Sequence, residues 1–213
     1  MQASLFPITQ ENLALLHPQA LTSVFWELTP ESAAKAEPAF EKEAWLSTTL
    51  LEHGRCGFNI GYRNGTPAIS TLIFSRRDAA PGALTLPTGP VGADAALISS
   101  LFIEEVFRGV GMEAVLLDAA LMDLMHLRFT AVEAFGLREI PARSLDDLDP
   151  GTRGLISRRR HIGLIDYASL VSAGFEVVAE HPVLPRLRME LPPEHGLLSA
   201  QAAQLLLAEV EAL

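Results

Sequence analysis

Apolar and polar residues alternate along Cys56–Tyr62, where Cys56, Phe58, Ile60 and Tyr62 are separated by Gly57, Asn59 and Gly61. A period of two predicts a β-strand. Asn64-Gly65 follows, a pair that tolerates positive φ, so Ala68–Phe74 is expected to return as the second arm of a hairpin. Leu97–Ile103 and Phe129–Phe135 read as two further strands, and Gly111–Leu127 between them as a long helix. Upstream, Ser4–Ile8 predicts a short strand, Gln10–Leu16 a short helix and Ala20–Leu28 another apolar segment. Pro30-Glu31 opens a polar, alanine-rich helix, and Glu41–Glu52 predicts a stronger one with Trp45, Thr48 and Thr49 toward one side. Arg76–Pro90 holds Pro81, Gly82, Pro87, Gly89 and Pro90 and reads as a long connection. Glu139–Arg160 is polar and loop-like. Leu164–Ala173 predicts a short helix stopped by Gly174, which suits a left-handed cap. Phe175–Glu180 and Arg186–Leu191 are the last expected strands, and Ser199 can cap a final helix to Leu213. A hairpin followed by strand, helix, strand, helix and strands makes a mixed α/β sheet with at least one parallel crossover.

Composition narrows the partners. In 213 residues there are 26 acidic and 16 basic side chains, a formal charge of −10, which disfavours non-specific binding to a nucleic-acid backbone. A local cluster of donors can still hold a small anion. Hydrophobic residues reach 49%, enough for a sizeable core, yet no apolar run is long enough to cross a membrane. Met1–Pro7 lacks a basic start followed by an apolar stretch, and one cysteine, Cys56, cannot form an internal disulfide. These features predict a soluble cytoplasmic protein in a reducing compartment. The six histidines are scattered without ligand spacing, so no metal is expected.

The stretch that carries chemistry is the strand Leu97–Ile103, a short turn, Arg108-Gly109-Val110-Gly111 and the helix after it. Glycines let a ligand approach the backbone, and the first helical turn offers unpaired N–H groups at a positive dipole end. Together they make a phosphate seat, with Arg108 as a positive fork beside it. The spacing matches neither a dinucleotide fingerprint nor a P-loop.

Leu101–Leu117, centred on Arg108-Gly-Val-Gly111, resembles the acetyl-coenzyme A motif of the GNAT superfamily of N-acyltransferases, whose pattern is Arg/Gln-X-X-Gly-X-Gly/Ala. Tyr167–Leu191, with Gly174-Phe175 inside it, is similar to the second half of that fold. Phe25-Trp26-Glu27, Lys42–Trp45 and Ala131–Gly136 resemble a bacterial subgroup of unassigned substrate. The resemblance implies a mostly antiparallel central sheet with a parallel, splayed strand pair and flanking helices. With no second core-sized segment, one acyltransferase-like domain is expected over residues 1–196, its first 52 residues mostly helical, with a helical tail over 197–213; the resemblance covers most of residues 20–192. It further implies that Leu101, Phe102 and Ile103 pair with the pantetheine arm of acetyl-CoA. Arg108, Gly109, Val110, Gly111, Met112, Glu113 and Ala114 would hold the pyrophosphate. The amine of a small-molecule or amino-acid-like acceptor would attack the thioester in a ternary complex, with strand N–H groups polarising the carbonyl. The alternatives are a non-catalytic acyl-CoA-binding module and an interaction domain with a weakened cofactor site.

Two positions depart from the family pattern. Glu113 stands where the family prefers Gly or Ala, in line with Leu117, Ala120 and Leu124; its carboxylate favours the empty helix end and repels a pyrophosphate. Leu170 stands where many relatives carry a tyrosine that protonates the leaving thiolate, and Tyr167, one turn earlier, is the candidate substitute. Among Glu27, Glu52, His53, Glu104, Glu105 and Glu133, the last ranks first as general base because it lies on the strand beside the expected cleft. The competing reading pairs Glu133 with an arginine. Arg158-Arg159-Arg160 is either an anion site or a solvated loop, and Arg186 and Arg188 share one strand face. Leu206, Val210 and Leu213 form a stripe that must pack on the core or in a homodimer.

Overall fold

The computed structural model describes residues 3–62, 65–139 and 147–209. Strands β1 (Ala3–Pro7), β2 (Gly57–Tyr62), β3 (Ser70–Arg76), β4 (Ala95–Ile103), β5 (Ala131–Leu137), β8 (Arg186–Glu190) and β7 (Glu176–Ala179) form one sheet in the spatial order β1-β2-β3-β4-β5-β8-β7. A two-residue strand β6 (Ile165–Asp166) pairs with β5. The β4–β5 and β5–β6 pairs are parallel and the others antiparallel. The alternation in Cys56–Tyr62 did predict β2, and the return strand is in register with it, Asn59 opposite Thr71. Asn64 lies outside the described residues.

Helix α4 (Met112–His126) is the β4-to-β5 crossover and covers one face of the sheet. Val115, Leu116, Ala119, Ala120, Leu121 and Leu124 are all buried, so this helix is apolar on most sides rather than along one stripe. Its outer side is sheltered as well, because α8 (Ala200–Glu209) packs across it and onto β1. Leu207 is buried in the core under α4, Leu206 packs against it, and Leu198 N–H donates to Asp118 Oδ2 at 2.6 Å. The apolar tail therefore docks on its own chain; Val210 and Leu213 lie outside the described residues. The opposite face carries α1 (Pro18–Thr22), α2 (Pro30–Ala33) and α3 (Pro38–His53), with Leu13, Leu16, Leu46 and Phe102 in one core cluster and Trp26, Leu97, Phe135 and Ile162 in another.

The segment expected to be a loop differs. Residues 150–162 form α5 (Pro150–Ser157) and α6 (Arg159–Ile162). Asp149 is the N-cap of α5, accepting from Thr152 N–H at 3.0 Å, and Pro150 fills the first helical position, where its missing N–H costs nothing. Leu155, Ile156 and Ile162 bury the apolar side of this pair. The expected helix from Leu164 begins instead with β6, and α7 runs over Tyr167–Ser172. Residues 140–146 lie outside the described part of this stretch.

Candidate functional site

β4 ends at Ile103 and the chain turns through Glu105–Phe107 into Arg108-Gly-Val-Gly111. Gly109 (φ 75°) and Gly111 (φ 91°) both adopt the left-handed region, which is strained for other residues. Gly111 is the N-cap of α4; Val115 N–H makes the first helical bond to its carbonyl at 3.2 Å. The N–H groups of Met112, Glu113 and Ala114 precede that bond, at the positive end of a 15-residue helix.

This turn stands at the edge of a cavity of about 1310 Å³ between the start of α4 and α7. Arg108, Gly109, Gly111, Glu113, Ala114 and Tyr167 all line it. The seat read from the sequence and the candidate acid are thus brought together. Met112 is buried instead, and Val110 packs against the core. Gly136 lets α7 close on β5, since a side chain there would stand 3.2 Å from Tyr167 Cα. Tyr167 is half-buried, with the Arg138 guanidinium 4.8 Å from its ring centre. Leu170 is buried in the core and takes no part in the cavity.

Glu113 turns toward the seat itself: its Oε1 accepts from Gly109 N–H at 3.1 Å. The carboxylate holds a donor that an anionic ligand would use.

Other expected residues lie elsewhere. Glu133, ranked first as base, has the arginine pairing of its competing reading. It is only 2% exposed, it does not line the cavity, and three donors already hold its carboxylate: Arg186 Nη1, Arg188 Nη1 at 3.2 Å and Gly92 N–H at 3.0 Å. It ties β5 to β8 and to the connection before β4, and is not placed to take a proton from an amine. Arg188 is held further by Asp94 (2.7 Å) and Glu190 (2.6 Å), so the two strand arginines neutralise carboxylates of this chain. Glu27 makes a buried pair with Lys42 at 2.5 Å, and Glu104 approaches His17 Nε2 at 3.5 Å. Glu52 and His53 are neighbours at 3.8 Å on α3. Cys56 is fully buried, and burial pushes its thiol up to about 12, against the smaller opposing effect of Lys42.

Leu101, Phe102 and Ile103 are buried and do not line the cavity. Leu101 N–H donates to the carbonyl of Gly163 at 2.9 Å, so the strand amide expected to meet the pantetheine arm is taken by this chain's own backbone. The arginine run is split three ways. Arg158 stacks 5.9 Å from the Phe25 ring, Arg159 lines the cavity, and Arg160 forms a two-pronged pair with Glu105 at 2.9 Å. The sequence reading missed Arg138, Asp166 and His195 as cavity residues. Arg138 follows directly on β5, so its place at the strand's end was the available signal.

No family model matches the sequence, and no curated protein matches it. Solved structures do match. The yncA protein of Salmonella typhimurium, a candidate acetyltransferase described with its cofactor acetyl-CoA, superposes with a TM-score of 0.54 at 12% identity. That match covers 94% of this chain and 99% of the other. An N-acetyltransferase from Staphylococcus aureus matches with a TM-score of 0.50 at 14% identity, covering 90% and 99%. A ribosomal-protein-S5-alanine acetyltransferase from Vibrio fischeri matches at 0.50 and 10%, covering 92% and 97%. The chain has the GNAT fold. Its parallel β4–β5 pair and flanking helices are the features that the sequence resemblance implied. Among the described residues, no cluster of metal-ligating side chains and no membrane-crossing helix occurs.

Proposed function

We propose that this GNAT-fold chain is an N-acetyltransferase that moves the acetyl group of acetyl-CoA to the amine of a small-molecule or amino-acid-like acceptor. The observation that carries this reading is the Arg108–Ala114 seat opening onto a cavity in a fold shared with a protein that holds acetyl-CoA. The nucleotide end fits the residues present. Arg108 and Arg138 line the cavity, whose wall also carries Glu113, Asp118, Glu139 and Asp166; Gly109 has open space where a side chain would stand, and the volume exceeds the roughly 300–1,000 Å³ of ordinary small-molecule sites. When bound, the cofactor supplies an acyl thioester. The chain orients it through the helix N–H groups, and the Tyr167 hydroxyl is the proposed proton donor to the departing thiol. Glu133 is not carried forward as the base.

A second reading, a non-catalytic acyl-CoA-binding module, is favoured by the Gly163 carbonyl on Leu101 N–H. Release of free thiol across a panel of amines separates the two. The enzyme reading expects thiol release with at least one amine, and a loss of tenfold or more (about 1.4 kcal/mol or greater) for Arg108→Ala. Binding of coenzyme A with no release for any amine would support the module. No thermal shift at saturating coenzyme A would overturn both.

A further inference from the structure

β4 and β5 pair only across Ala95–Ile98 and Ala131–Ala134, and beyond these residues the two strands part. The gap is not open. Residues 163–166 lie in it: Gly163 O accepts from Leu101 N–H of β4 at 2.9 Å, while Ile165 and Asp166 pair with Gly136 and Leu137 of β5. Gly163 sits at φ 67°, and a side chain there would come within 2.7 Å of the Phe102 ring and 2.9 Å of Ser100 Cβ. A carbonyl of this chain therefore rests snugly on the β4 edge, in the position an amide-bearing ligand would need to pair with that strand. Leu137, Asp166 and Tyr167 line the cavity, whereas Leu101, Gly163 and Ile165 do not.

We propose that Arg158–Asp166 is an autoinhibitory plug, displaced from β4 when the amide-bearing arm of an acyl-CoA enters. The proposal rests on the acetyl-CoA reading above. At β4 the exchange conserves the hydrogen bond, because Leu101 N–H has a carbonyl partner both before and after. The plug is held by its pairing with β5 and by Leu164 and Ile165, which are buried in the core, as well as by two further ties. Trp26 Nε1 donates to Ile162 O at 2.7 Å, and Ile162 is buried. Arg160 grips Glu105 with both its prongs, but the pair is largely exposed and so only weakly holding. Glu105 lies in the turn that leads to Arg108, which links the plug to the phosphate seat. A ligand shifts such an equilibrium only by binding one state better. Only a ligand carrying the arm meets that condition at β4.

Two probes separate the ends of the cofactor: adenosine 3′,5′-bisphosphate, which lacks the arm, and coenzyme A. Hydrogen exchange by mass spectrometry on the full chain reads the plug. Coenzyme A is expected to raise exchange across residues 158–166, and the bisphosphate to leave it unchanged. Trp26→Phe removes the donor to Ile162 and is expected to tighten coenzyme A roughly two- to tenfold while leaving the bisphosphate affinity unaltered. Because Trp26 is a core residue, Arg160→Ala serves as the second variant, with a gain of about twofold in the same direction. If both probes bind, exchange at 158–166 does not respond to coenzyme A and both variants bind it as wild type does, the plug is refuted and the cofactor reading stands. Failure of both probes to bind wild type and variants alike would remove the cofactor reading and the plug with it.

Discussion

Glu113 places a charge where it acts on one ligand group. Its carboxylate accepts from Gly109 N–H at 3.1 Å, inside the turn expected to meet the pyrophosphate. A bound anion would have to displace it and then stand beside it. Removing a like charge at a helix N-terminus is worth about 1 kcal/mol, so Glu113→Ala is expected to tighten coenzyme A about fivefold by calorimetry. Equal or weaker affinity would show that the side chain swings clear at no cost. Cys56 is the opposite case, a side chain with chemistry but no access. With its thiol pushed up to about 12 by burial, it stays protonated at neutral pH. A thiol reagent should label it only after denaturant unfolds the chain; labelling of the native protein at the rate of a free thiol would refute this. His17 is buried against Phe102, with Nδ1 accepting from Gln19 N–H at 3.2 Å. Burial holds its pKa below the ordinary 6.5, Glu104 opposes that, and Arg108 adds to it. The unfolded chain therefore takes up a proton before the folded one. Stability should fall as pH drops through about 6.5, by at most about 1.4 kcal/mol per pH unit, and level off once folded His17 is itself protonated. Urea unfolding between pH 7.5 and 5 checks this, and His17→Gln should flatten that part of the curve.

At the scale of elements, the strands and the long helix were legible because each has a strong period or strong punctuation. The Gly57–Tyr62 alternation, the Gly111 start of α4 and the Gly174 stop of α7 mark three of them. Residues 150–166 were not legible, for two physical reasons. Helices α5 and α6 are short, and their periodicity is diluted by Arg158–Arg160, whose charged ends reach out while Leu155, Ile156 and Ile162 face in. β6 is two residues long, and only β5 makes it a strand. The Arg108–Gly111 turn was legible because its glycines are local; what fills the gap beside β4 was not, since that contact joins residues 62 positions apart, Leu101 and Gly163. Glu133 shows the same limit. Strand alternation puts it on one face but does not reveal that Arg186 and Arg188 of β8 meet it there. As a tie between β5 and β8, its removal leaves two strand arginines short of a carboxylate. Glu133→Ala is expected to cost about 3 kcal/mol by denaturant titration. Thiol release per folded molecule should stay near wild type, whereas a residue acting as base would lose activity at full stability.

Across the whole molecule the net charge is −10, while on the cavity wall Arg108, Arg138 and Arg159 alternate with Glu113, Asp118, Glu139 and Asp166. At physiological salt exposed charges are felt over about 8 Å, so the placement of these groups sets the field a ligand meets more than the net charge does. The same scale decides the status of the C-terminal helix. It bridges α4 and β1, which are the crossover helix and an edge strand of the sheet, and its Leu206 lies over Gly111 at the seat. The tail is thus joined to the Arg108–Gly111 turn through apolar contact. Leu207, 6% exposed, is the residue that tests this docking. Emptying its place is expected to cost about 2–3 kcal/mol. For a chain of this size each kcal/mol moves the melting temperature by about 2–4 °C, so Leu207→Ala should lower it by about 4–12 °C. Were α8 a free appendage, the same substitution would change stability by less than about 0.5 kcal/mol, a shift of about 2 °C or less. A thermal scan of the two proteins therefore separates a helix that completes the core from one that waits for a partner.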